Sequence, residues 1–198
     1  MLTYGTILGN TRLYMENLIS RELLSKTRQK NLQKSKSVYN KALEVKKRNK
    51  YFNEVSIFLS HKHGETELIE QIIVLFEDLG VSVYIDWLDS EMPKTTNGST
   101  AKRIKEKIRS CDKFIFLATE SAISSKWCNW ELGHGDSQKF FENIAVMPIT
   151  EKPKQVYSGN EYLEIYPIIT SQSSYSIGGE FYLEFEGKKV KLSDWLKS

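Results

Sequence analysis

VSIFLSHKHGETELIEQIIVLFEDLGVSVYID, residues 55–86, is the stretch that decides the fold. Val55–Ser60 is a short apolar run rich in branched and aromatic residues, the composition of a buried strand. Glu67–Leu79 then places apolar residues at 68, 69, 72, 73, 75, 76 and 79, the spacing of an amphipathic helix. Gly80 is a natural helix stop, and Val81–Asp86 reads as a second strand. Strand, helix and strand in this order make a βαβ unit.

The same alternation continues downstream. Trp87–Ser99 reads as a loop, with Pro93, Asn97 and Gly98. Thr100–Ser110 is a charged helix with Ile104 and Ile108 facing inward. Lys113–Thr119 (KFIFLAT) is a third strand. Ser125–Phe141 is a helix, with a break expected near Gly133–Gly135, and Ser124 or Ser125 is its cap. Ile144–Ile149 (IAVMPI) is a fourth strand. Tyr166–Thr170 (YPIIT) is a fifth, placed at an edge by Pro167. The tail 181–192 reads as a hairpin turning at Glu186-Gly187, followed by a short helix. The prediction is a flavodoxin-like three-layer α/β fold with a mostly parallel sheet. Ligands of such sheets sit beyond the carboxyl ends of the strands, here Ser60-His61, Asp86-Trp87 and Thr119-Glu120.

Upstream lies a different kind of sequence. Residues 11–50 read as helix from Leu13/Tyr14, Leu18 and Leu23/Leu24, as one helix, two, or a partly disordered stretch. Residues 21–50 hold eleven Lys/Arg against Glu22 and Glu44, a balance of +9, while Arg12 and Glu16 cancel in 1–20. Since the whole chain of 198 residues carries +3, residues 51–198 carry −6. A basic arm thus precedes an acidic domain. The division expected is an arm at 1–50, a domain at 51–175, and a hairpin and helix at 176–198 that complete it. The arm has only Tyr39 as an interleaved aromatic, so neither nucleic acid nor a membrane is expected as partner. No stretch reaches membrane-spanning length and no leader is evident, which makes the cytoplasm the default. Cys111 and Cys128 do not suggest a disulfide scaffold.

The densest chemistry is at Ser125–Leu132 (SKWCNWEL). On a helix, Trp127 and Cys128 precede Glu131 by four and three residues, and His134 and Gly135 follow by three and four, so all share one face. Gly135 is expected to leave room there for another group, and Trp130 to point into the core. A lone carboxylate suits cleavage of a glycosidic bond whose leaving group departs neutral, because an anion stabilises the oxocarbenium-like transition state. Composition alone favours the alternative, a solvated helix glutamate. His61-x-His63 with His134 lacks acidic or thiol ligands at metal spacing and reads as loop histidines, so no metal is expected. Cys128 and His134 are too far apart on one helix to pair, and Cys128 reads as structural. Gly133-x-Gly135 follows no strand and is no dinucleotide fingerprint.

From about Val55 to Thr170 the chain resembles a bacterial TIR domain. The matching pieces are IFLSHKH (57–63), Glu65 at an acidic position, VYIDWLD (83–89), KFIFLAT (113–119) and, most specifically, SKWCNWEL (125–132). The resemblance implies an enzyme that cleaves NAD as substrate, with no cofactor, and Glu131 as its catalytic residue at the nicotinamide-side ribose. It implies that Ser60, His61 and Lys62 line the cleft and that Trp127 and Cys128 shape it. Asp86, Trp87 and Ser125 complete the candidate substrate-binding set. Loop 87–99 would be the BB loop, which completes a neighbour's site when TIR domains self-associate. Products are ADP-ribose or a cyclic ADP-ribose isomer. A stand-alone protein of this kind resembles the synthase of Thoeris anti-phage systems, whose signal acts on a separate effector. The alternative is a non-enzymatic TIR adaptor acting by homotypic association, which would not need Glu131.

Overall fold

The computed structural model describes residues 12–13, 17–30, 55–86, 89, 97–153, 155, 157–173 and 180–198. Strand β1 is Arg12–Leu13, β2 Ile19–Ser20 and α1 Arg21–Lys30. Then follow β3 Ser56–Ser60, α2 Thr66–Asp78, β4 Ser82–Tyr84, α3 Gly98–Ser110, β5 Lys113–Ala118, α4 Glu120–Ile123 and α5 Lys126–Gln138. The chain ends with β6 Ile144–Thr150, β7 Tyr157–Ser158, β8 Ile168–Ser171, β9 Phe181–Phe185, β10 Lys188–Lys191 and α6 Leu192–Lys197.

The main sheet runs β10-β9-β8-β6-β5-β3-β4. Its β4, β3, β5, β6 and β8 are parallel, and β9 and β10 add an antiparallel edge. Within the parallel part the strands stand in the order second, first, third, fourth, fifth, which is the flavodoxin-like order. Alternation along each strand splits the core into two layers. Ile57, Leu59, Ile115 and Leu117 meet α2 through Ile69, Ile72 and Phe76, with Trp195 and Leu196 of α6 in the same cluster. Phe58, Phe114 and Phe116 meet Ile104, Ile108 and Leu132 on the opposite face.

Several expectations need correction. The fifth strand is not at an edge, because β9 covers it on the side away from β6. Pro167 is accommodated because it precedes β8, where its carbonyl accepts the Val146 N–H at 2.8 Å and its missing N–H costs no ladder bond. Helix α5 is not broken at Gly133–Gly135 but runs unbroken to Gln138. Helix α3 starts at Gly98, earlier than the periodicity indicates, because Asn97 caps it by accepting the N–H groups of Ser99 and Thr100. The hairpin turns where expected, with Glu186 and Gly187 both at positive φ, 48° and 76°.

The N-terminal segment is not simply helical from residue 11. Ile19–Ser20 pairs in parallel with Ile149–Thr150, so the main sheet does not lie wholly downstream of the basic stretch. Ser20 Oγ accepts the Leu23 N–H at 3.1 Å and starts α1. Leu18, Ile19, Leu23 and Leu24 are buried. The expectation for residues 31–50 lies outside the described residues. Among the described residues, no helix is long and apolar enough to cross a membrane. Both cysteines are free, buried thiols.

Candidate active site

The parallel strand order reverses between β3 and β5, the place where such sheets form a crevice. The carboxyl end of β3 presents Ser60 and His61 there. Asp86 follows β4, and α5 crosses behind, carrying Glu131. The register of β3 against β5, with Ser60 opposite Phe116, fixes this height.

Glu131 is only 4% exposed, which rules out the solvated helix glutamate that composition favours. Its Oε2 accepts the Ser60 hydroxyl at 2.6 Å. Burial pushes the carboxyl up to about 8, with the Asp86 charge adding to the rise. Hydrogen bonds from Ser60 and Trp127 and the nearby His63 oppose it. A buried carboxyl of this kind holds a poorly solvated negative charge when ionised. Any cation that enters beside it is therefore strongly attracted.

Cys128 ties α5 to β3, its Sγ donating to the His61 carbonyl at 3.3 Å. Burial raises its thiol to about 11, so it stays protonated at neutral pH and serves as a structural group. Ser125 is the N-cap of α5, accepting the Cys128 N–H at 3.4 Å. Trp127 is half-buried and stacks on Trp130 at 5.0 Å between ring centroids. Lys62 is exposed beside the site, close enough for its charge to act on His63 and Cys128.

The histidine pair is not solvated as a pair. His61 is 6% exposed and its Nδ1 lies 2.8 Å from the Leu59 carbonyl. His63 is exposed, and its Nε2 meets Asp86 Oδ2 at 2.6 Å. Burial lowers the pKa of His61, whereas the hydrogen bond to Asp86 raises that of His63. Asp86, distant in sequence, supplies the acidic neighbour that local spacing does not reveal. One donor atom from each of His61, His63 and Asp86 lies within 4.8 Å of the others, a set able to hold a metal ion.

Two local readings of the α5 face do not hold. Gly135 leaves no room for a ligand, since a Cβ there would stand 2.9 Å from the Phe114 ring. Its role is close packing of α5 on β5. His134 lies away from the carboxylate, stacked on Trp130 at 6.1 Å. Trp130, by contrast, packs against the core as expected, half-buried, with Lys105 over its ring. Trp87 lies outside the described residues.

Glu65 faces another way. It accepts the hydroxyls of Thr119 and Ser121, each at 2.9 Å, and an ion pair from Arg21. The end of β5 is thereby tied to the N-terminal segment. Sequence alone marks Glu65 as acidic but does not show this link, because Arg21 and Glu65 lie 44 residues apart.

Comparison with known proteins identifies the family. A protein of Bacillus cereus (strain MSX-D12) named "Probable 3' cyclic ADP-D-ribose synthase ThsB'" is 29% identical over 170 residues, 83% of this chain and 86% of that protein. "Probable 2' cyclic ADP-D-ribose synthase TcpO" of Methanobrevibacter olleyae is 30% identical over 105 residues, 52% of this chain and 29% of its own length. The family model described as TIR domain matches residues 57–168, from the first parallel strand to the fifth. That span is more than half of the chain and contains Ser60, Asp86 and Glu131, and the chain belongs to the TIR domain family.

Proposed function

We propose that this chain breaks the bond between nicotinamide and ribose in NAD and closes the remaining ADP-ribosyl group into a cyclic ADP-ribose. The observation that carries this reading is the buried Glu131 carboxylate, held by Ser60 at the switch point of the sheet. Nicotinamide leaves as a neutral base from a cationic ring, so no acid is required to protonate it. Positive charge moves instead onto the ribose. A desolvated anion stabilises that charge far better than a solvated one. The cationic ring of bound NAD also favours the ionised form of Glu131 and so selects the active state.

Capture of the ribosyl cation by water gives ADP-ribose. Capture by a nucleophile of the same molecule gives a cyclic product. The relatives are named for cyclic products, which favours internal capture, and their names differ between the 3' and 2' isomers. The role follows the resemblance to Thoeris-type defence: the product is a signal read by a separate effector.

Self-association would use the segment expected to form the BB loop, of which Asp89 and residues 97–99 are described. Asp89 anchors the start of the loop, accepting the Tyr84 hydroxyl at 2.8 Å and Arg103 Nε at 3.2 Å. Asn97 anchors its end as the cap of α3.

The test is incubation of the purified protein with NAD, alone and under crowding, with nicotinamide and nucleotide products separated against standards of ADP-ribose and both cyclic isomers. Glu131→Gln runs beside it. Nicotinamide release by the wild type and not by the variant supports the reading. Equal inertness of both in every condition overturns it in favour of an adaptor.

A further inference from the structure

His61, His63 and Asp86 bring two imidazoles and a carboxylate together beside Glu131, with one ligand atom of each within 4.8 Å of the others. With Nδ1 donating to the Leu59 carbonyl at 2.8 Å, the neutral ring carries its lone pair on Nε2. That nitrogen lies 3.6 Å from Asp86 Oδ1, and both side chains are largely buried. Two electron-rich atoms face each other across a gap too wide for a hydrogen bond. On the other oxygen of Asp86, His63 Nε2 approaches to 2.6 Å. We propose that His61, His63 and Asp86 bind a divalent transition-metal ion of zinc type at the mouth of the Glu131 cleft.

The donor set is two imidazoles and a carboxylate, the kind taken by zinc when a fourth position is left open. Zinc bonds to nitrogen and oxygen of about 2.0–2.2 Å place tetrahedral ligands roughly 3.3 Å apart. The 3.6 Å separation is already near that value. The 2.6 Å contact of His63 is with the other carboxylate oxygen, Oδ2, so His63 must open that contact, and the widest separation within the set of three ligand atoms, at most 4.8 Å, must close. His63 can make both movements: its side chain is 59% exposed, and Gly64 follows it at φ 96° in a turn. His61 needs no movement, since the Leu59 carbonyl orients its ring as a supporting hydrogen bond does in established zinc sites. An ion here would neutralise the charge of Asp86 and place two positive charges beside Glu131. It would then compete with a cationic substrate. That consequence rests on the proposed function, whereas the binding itself does not.

Titration calorimetry of the full chain with zinc chloride, in a non-chelating buffer at neutral pH, tests the site. Cobalt(II) in place of zinc adds a visible absorption band that reports nitrogen and oxygen ligation. Wild type should bind one ion, with affinity weakened at least about tenfold in His63→Ala and unchanged in His134→Ala. The exposed position of His63 keeps the folded state out of question, and circular dichroism of the variant checks it. Absence of zinc binding, or equal binding by wild type and His63→Ala, overturns the site. Where zinc binds as expected, nicotinamide release measured with rising zinc tests the competition separately. Release undiminished at saturating zinc overturns the competition alone.

Discussion

The Ser60 hydroxyl donates to Oε2 of Glu131 at 2.6 Å, joining the end of the first parallel strand to the middle of the helix that follows the third. One bond thus holds the carboxylate at the sheet's crevice and favours its ionised form. Replacing Ser60 with Ala removes that support. The pKa of Glu131, already raised to about 8, then rises further. A rise of one unit lowers the ionised fraction near neutral pH about tenfold. Nicotinamide release by Ser60→Ala should therefore fall about tenfold at pH 7 and recover at higher pH. A loss equal at every pH would contradict this account.

The pH profile of the wild type follows from the same group. If Glu131 acts as proposed, the carboxylate is the active form, so kcat/KM for NAD should climb with pH and level off above about 8. Rates across this range, with protein integrity checked at each point, decide the matter. A flat profile between pH 6 and 8 would show that another group governs the reaction.

Stability should run the opposite way. The folded pKa of Glu131, about 8, exceeds the ordinary value of 4.5. Between these values the folded state binds more protons than the unfolded state, so stability falls as pH rises. The contribution is fully present below pH 4.5 and is lost as pH passes through about 8. Glu131→Gln abolishes the titration. Its Tm should match wild type at acid pH and exceed it by several degrees near pH 9, while nicotinamide release drops at least about a hundredfold. Thermal melts at the two pH values check the first expectation, and product chromatography the second.

Gly135 is held by shape. A methyl group there would stand 2.9 Å from the ring of the fully buried Phe114. Gly135→Ala should be destabilising by about 1–3 kcal/mol despite the better helix propensity of alanine. Because α5 also carries Glu131, NAD cleavage should fall with it. Urea unfolding measures the first effect. A variant as stable as wild type would mean that the ring yields easily.

The N-terminal segment should prove necessary. Ile19 is fully buried and pairs with Ile149, and Arg21 bridges Glu65 and Glu151. Ile19→Ala should cost about 2–5 kcal/mol. Removal of residues 1–30 should leave a protein that melts at a markedly lower temperature or fails to stay soluble. Retention of the wild-type Tm by the truncated chain would show the pairing to be dispensable.

Periodicity made most of the architecture legible before any coordinate. The runs at 55–60, 81–86, 113–119 and 144–149 are strands, and the apolar spacing at 67–79 is a helix, because side-chain direction repeats along each element. The segment SKWCNWEL likewise marked Glu131 as a candidate. Such patterns report neighbours within a turn of helix or along a strand. They carry no information on which distant elements meet. The pairing of Ile19–Ser20 with Ile149–Thr150 is too short to leave a pattern. The meeting of His61 and His63 with Asp86 depends on β3 and β4 lying side by side. The same local rules misread Gly135, whose open face on the isolated helix is filled by Phe114 from β5. The 125–132 segment thus marked the carboxylate as a candidate from the letters, whereas its burial and raised pKa arise only when α5 closes over the sheet and water is displaced from around it.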